Sequence, residues 1–80
     1  MNIEIITPDK KLYAGEVKVV QLPGSNGSFE ILNNHAPIVS TLSKGKIRIV
    51  TADNKELSFE VGGGVIEMND NKVIILAETA

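Results

Sequence analysis

One histidine, His35, and no cysteine are all that this chain offers toward nucleophile–base or imidazole–metal chemistry. Neither a Cys-His pair nor a multi-His site can be built from that supply. No serine stands in a Gly-x-Ser-x-Gly elbow, and Lys44-Gly45-Lys46-Ile47 lacks the hydroxyl residue and the upstream glycine of a phosphate-binding loop. The acidic residues fall one per turn or strand, so no pair is set up for general acid–base work. Gly62-Gly63-Gly64 reads either as a small anion nest or as a bulge at a close strand crossing, and the bulge is favoured. Asn26-Gly27-Ser28 matches a glycosylation acceptor, which matters only in a secreted chain. The residues predict no catalytic centre, no cofactor and no metal site. By itself the chain reads as a non-enzyme.

The elements that remain must serve binding or architecture. Eighty residues suffice for one domain, expected over residues 1–80. A domain of this size buries only about 60% of its unfolded surface, and without cysteine its core must hold it alone. Eight basic against ten acidic residues give a net charge of −2, and only three residues are aromatic. Such a chain lacks the basic stripe and stacking platforms of a nucleic-acid binder. Its apolar runs are too short for a membrane-spanning helix, and Met1-Asn2-Ile3-Glu4 does not read as a signal peptide. A cytosolic setting is expected.

Hydrophobicity repeats with period two. Lys46 and Arg48 alternate with Ile47 and Ile49, and Glu56, Ser58 and Glu60 alternate with Leu57, Phe59 and Val61. Each such segment has a dry face and a wet one, as half-buried strands do. Turn signals follow at spacings of about 8 to 12 residues: Pro8-Asp9-Lys10-Lys11, Gly24-Ser25-Asn26-Gly27, Asn33-Asn34, Lys44-Gly45, Asp53-Asn54, the three glycines and Asn69-Asp70-Asn71. The pattern predicts an all-β, antiparallel sandwich or flattened barrel, with Phe29 and Phe59 in its core.

Five residues break the alternation. Ile6, Val20, Val50, Ile74 and Leu76 stand at the parity of polar neighbours. Either strand ends and bulges shift the register, or an outer face is partly apolar and docks on another protein. His35, ahead of Pro37, likewise has two readings: pinning its own loop, or making a polar interface contact.

At Leu22–Leu42 the sequence becomes individual, and four pieces together resemble a known family. They are IITPDKKLYAGEV from Ile5, QLPGSNGSFEILNNHAPIV from Gln21, LSKGKIRIV from Leu42 and VGGGVIEMNDNKVIILAE from Val61. The chain resembles the N-terminal β-sandwich of the epsilon subunit of the bacterial F-type ATP synthase, the counterpart of the mitochondrial delta subunit. The resemblance implies a flattened sandwich of about ten short strands. It implies a non-catalytic rotor subunit of the central stalk that binds the gamma subunit and the c-ring and couples proton flow to ATP synthesis. It places the chain, through the complex, at the cytoplasmic face of the bacterial inner membrane.

By position, Thr7, His35 and Ser40 correspond to gamma-facing residues of the family, and Ser28 and Glu30 to residues near the polar loops of the c-ring. Val20 and Ile74, from the off-parity set, are added as expected gamma contacts. Ser28 departs from relatives that carry an acid there, and Glu30 is expected to supply the charge. The C-terminal helical hairpin of many relatives has no counterpart in these 80 residues. A lipoyl or biotinyl carrier domain is the alternative, since it shares the size and the hairpin tip. Its lysine would be Lys72 or Lys55, but neither lies in a carrier motif.

Overall fold

A computed structural model describes residues 1–80. Seven strands and no helix make up the fold: β1 (Asn2–Ile6), β2 (Lys11–Gly24), β3 (Gly27–Leu32), β4 (Ile38–Leu42), β5 (Gly45–Thr51), β6 (Glu56–Asn69) and β7 (Lys72–Thr79). The sandwich is as expected, but seven strands replace about ten short ones. The difference lies in β2 and β6, each 14 residues long and each bent at a register shift. In β2 the shift falls between Val17 and Val19, and in β6 between Val61 and Gly64. Turn signals mark strand ends, whereas a bulge turns a strand without ending it.

These two strands tie two layers together. The first layer is β3, the C-terminal half of β2, β5 and the N-terminal half of β6. The second is β4, the C-terminal half of β6, β7, β1 and the N-terminal half of β2. All pairings are antiparallel except β1 with β7.

The glycine run is the bulge, not a nest. Gly64 has φ +147°, and a Cβ there would stand 2.3 Å from the Leu76 carbonyl oxygen of β7. No side chain fits that crossing, so glycine is required.

Sixteen buried apolar residues form one core cluster between the layers, among them Ile3, Ile5, Leu22, Ile31, Ile47, Ile49, Ile66 and Ile75. β-Branched residues dominate because they fill a pleated surface at little rotamer cost. Phe29 and Phe59 are half-buried and pack against this cluster. Tyr13 of the second layer meets Phe59 of the first, ring centroids 5.8 Å apart, and closes one end of the sandwich.

Candidate functional site

Each layer turns one face outward, and strand register decides what that face carries. In the first layer, two rows of outward positions read Glu30–Gln21–Arg48–Ser58 and Leu32–Val19–Val50–Glu56. Here Arg48 Nε donates to Gln21 Oε1 at 2.9 Å, and its guanidinium lies 3.0 Å from Glu56. Polar groups on this face largely satisfy one another.

The second layer differs. Its outward rows read Thr41–Val65–Leu76–Ile6 and Val39–Glu67–Ile74–Glu4–Ala14. Val39 is 72% exposed, Leu76 56% and Val65 41%. Ile74 and Ile6 are half-buried beside them. Val65, Glu67, Ile74 and Leu76 line a shallow depression of about 260 Å³, and Ile6 and Leu76 line a second with Pro8. Glu67 stands within this surface, between Val39 and Ile74, and the other charges lie at its margin. Glu4 meets Lys11 at 3.1 Å and Lys72 at 3.7 Å. The hydrogen bond and charge of Lys11, seconded by Lys72, hold the Glu4 carboxyl below the usual carboxylate range. Glu67 has no cation within salt-bridge reach.

The expected contact residues scatter over the molecule. Ile74 lies on the apolar outer face. Val20 does not: it is wholly buried, paired with Ile31 and Ile49 in the core. The register shift between Val17 and Val19 turns its side chain inward, so it offers nothing to a partner. Thr7 is buried at the end of β1, where its hydroxyl donates to the Lys10 carbonyl (3.0 Å) and accepts from the Lys10 amide (3.3 Å). It fastens the Pro8–Lys10 turn.

His35 is exposed beyond the other end of the second layer. Its amide donates to the Leu32 carbonyl and its Nδ1 to the Ala36 carbonyl at 2.8 Å, which is the loop-pinning arrangement. Ser40 is half-buried on β4, its hydroxyl on the Thr41 carbonyl at 3.3 Å. Thr7 and His35 thus sit at opposite ends of one layer. Ser28 and Glu30 are exposed on β3, on the outer face of the first layer, away from Ile74.

Val39 and Val65 were missed by sequence reasoning. The bulge at Gly62–Gly64 resets the parity of everything after it, so Val65 reads as core until the shift is known. Val39 stands beside Ile38 in a strand too short for its phase to be read.

No arrangement of nucleophile, base or ligand cluster accompanies these surfaces, and the fold is that of a β-sandwich whose character lies in its faces. The family model described as ATP synthase, Delta/Epsilon chain, beta-sandwich domain matches residues 1–80. The chain belongs to that family. It is 41% identical over 77 residues to the ATP synthase epsilon chain of Chlorobaculum tepidum, covering 96% of this chain and 88% of that one. It is 46% identical over 78 residues to the epsilon chain of Leptospira borgpetersenii, of which the match covers 61%. Among solved structures, a chain of the Euglena gracilis mitochondrial ATP synthase (OSCP/F1/c-ring) superposes with TM-score 0.84 at 19% identity, over 94% of this chain and 48% of that one. A chain of the Tetrahymena thermophila mitochondrial ATP synthase central stalk and c-ring gives 0.79 at 21%, over 98% and 63%. The carrier-domain alternative is set aside by these matches.

Proposed function

We propose that the chain is a non-catalytic central-stalk subunit of a proton-translocating F-type ATP synthase, acting as one unit over residues 1–80. It docks on the gamma subunit through the apolar outer face of the second layer, formed by Val39, Val65, Ile74 and Leu76. It meets the c-ring at the β2–β3 hairpin, near Ser28 and Glu30. The complex holds it at the membrane, on the cytoplasmic side of a bacterial inner membrane.

The observation that carries this reading is the apolar outer face, on a chain of this family. A monomer gains nothing by exposing Val39, Val65 and Leu76 side by side, whereas a subunit buries them on assembly. A standard interface covers ~800 Å² per partner, about a sixth of the 4620 Å² surface here. The role is mechanical: the interface must outlast the torque on the rotor, and no bond is made or broken by the chain. His35 borders the docking face as a polar contact, Ser40 faces inward between Val39 and Thr41 and acts only through β4, and Thr7 acts through the turn it fastens. The position of Ser28 and Glu30 on the other layer supports two partners engaged from different sides.

Reconstitution tests this. Mixed with purified gamma subunit and c-ring from the same organism, the chain is expected to co-purify in one complex. Recovery of a gamma–ring complex that leaves the folded chain behind would refute the assignment. For the hairpin, Glu30→Lys is expected to lower proton-driven ATP synthesis in reconstituted membranes while gamma binding persists. Unchanged synthesis would remove Glu30 from the ring contact.

A further inference from the structure

The Asn26-Gly27 pair at the tip of the β2–β3 hairpin has a chemistry that no partner is needed to reveal. The chain has seven asparagines. Four have their side-chain amide engaged: Asn2 with Glu16 (3.4 Å), Asn33 with the terminal ammonium (2.7 Å), Asn54 with Lys18, and Asn71 with the Asn34 amide (2.8 Å). Of the other three, Asn34 precedes His35 and Asn69 precedes Asp70, so a side chain stands over the following amide nitrogen. Asn26 alone precedes glycine. Both Asn26 and Gly27 are exposed, and the space where a Gly27 Cβ would stand is open, with nothing within 4 Å.

The tip is clamped at one residue only. The Ser25 amide donates to the Thr41 carbonyl (3.3 Å), and the Ser25 hydroxyl shares a 2.9 Å hydrogen bond with Thr41 Oγ1. Asn26 carries no such tether, and its amide is free to turn toward the chain that follows. Loop tips with small residues are where backbone excursions concentrate, and asparagine is chemically labile under such conditions.

We infer that Asn26 is a site of spontaneous deamidation, through which the hairpin tip gains a negative charge. The Gly27 backbone nitrogen, losing its proton to water, attacks Asn26 Cγ. A C–N bond forms, the bond from Cγ to the side-chain nitrogen breaks, and ammonia leaves. The resulting five-membered succinimide is opened by water at either carbonyl, giving aspartate or isoaspartate. In sum, asparagine and water become a carboxylic acid and ammonia, with no change of oxidation state. The net charge moves from −2 to −3. In the isoaspartate product an extra methylene enters the main chain where Gly24 pairs with Gly27. The inference stands apart from the identity of any partner. On the reading above, however, the new charge lies beside Ser28 and Glu30 and would age the ring contact.

The test is incubation of the folded protein in mildly alkaline buffer at physiological temperature, followed by trypsin and tandem mass spectrometry of the peptide spanning 19–44. That peptide contains Asn26, Asn33 and Asn34, so three sites are compared in one molecule. The expected result is a gain of about 1 Da localised to Asn26, at least about tenfold faster than at Asn33 or Asn34. An isoaspartate product should separate from an Asn26→Asp standard. A urea-unfolded sample is run beside it. Conversion at Asn26 only in urea would show that the hairpin protects the site and overturn the inference, as would equal rates at the three asparagines or no conversion at all.

Discussion

The two outer faces of the sandwich obey the same alternation and differ in proportion: polar side chains that bind one another prevail on the first, exposed aliphatic ones on the second. On the first layer, outward positions carry Gln21, Glu30, Arg48, Glu56 and Ser58 beside Leu32, Val19 and Val50, and Arg48 binds both Gln21 and Glu56. On the second, they carry Val39, Val65, Ile74 and Leu76 around an unpaired Glu67, with the Glu4–Lys11–Lys72 cluster at the margin. Period-two patterning says which residues share a face, not which face meets water. A strand apolar on both sides belongs either to a buried sheet or to an interface. Within residues 1–80 nothing packs over the outer apolar face of the second layer.

The sharpest way to break this comparison is to move charge between inner and outer positions of apolar parity. Val20→Lys puts an ammonium in the core, and its desolvation costs several kcal/mol, of the order of the whole stability of a small domain. Loss of the cooperative thermal transition in circular dichroism is expected. A folded Val20→Lys variant would mean that the inward turn at the β2 bulge is wrong. Gly64→Ala comes next. A Cβ at 2.3 Å from the Leu76 oxygen, in a backbone of φ +147°, must separate β6 from β7. A loss of about 2 kcal/mol or more is expected from denaturant titration, and a neutral result would deny the close crossing.

On the outer faces the effects are smaller. Leu76→Lys should leave the melt within about 0.5 kcal/mol of the parent, yet weaken gamma binding at least about tenfold, or ~1.4 kcal/mol. Arg48→Ala removes an exposed pair, worth about 1 kcal/mol or less in denaturant titration, and should leave gamma binding as it was.

The smallest effect is with pH. Glu4 has its folded pKa lowered below the ordinary 4.5. Its contribution is therefore complete above that value and is lost as pH falls through the lower folded one. Asp53, lowered chiefly by the hydroxyl of Thr51 and further by Lys55, acts in the same direction. Thermal melts recorded downward through pH 4.5 should show a smaller loss in Glu4→Gln than in the parent. Parallel curves would remove Glu4 from the acid response.

Much of this was legible in the sequence. Alternation in β5 and the first half of β6 placed Ile47, Ile49, Phe59 and Val61 inward, where they are found buried or packed against the core. Turn residues marked the strand ends, except the three glycines, which lie inside β6, and Asn34, Asn54, Asp70 and Asn71 adopt positive φ. What escaped was phase. A bulge changes inside to outside without changing composition, so Val20, expected as a gamma contact, lies inside, and Val65, at the parity of Leu57 and Phe59, lies outside. The apolar outer face was legible only in half, through Ile74 and Leu76. Its other half, Val39 and Val65, depends on the β4–β6 pairing, which joins segments about 25 residues apart and has no local signal. His35 makes its local contact because the Ala36 carbonyl lies within reach of its own ring.

On the proposed function, the outer face of the second layer, rather than the Arg48 face of the first, carries the gamma subunit. Calorimetric titration of purified gamma subunit with the parent chain, Leu76→Lys and Arg48→Ala decides it. Tight one-to-one binding is expected for the parent and Arg48→Ala, with heat largely abolished for Leu76→Lys although it melts like the parent. Equal affinity for Leu76→Lys and the parent, or loss of binding in Arg48→Ala alone, would contradict it.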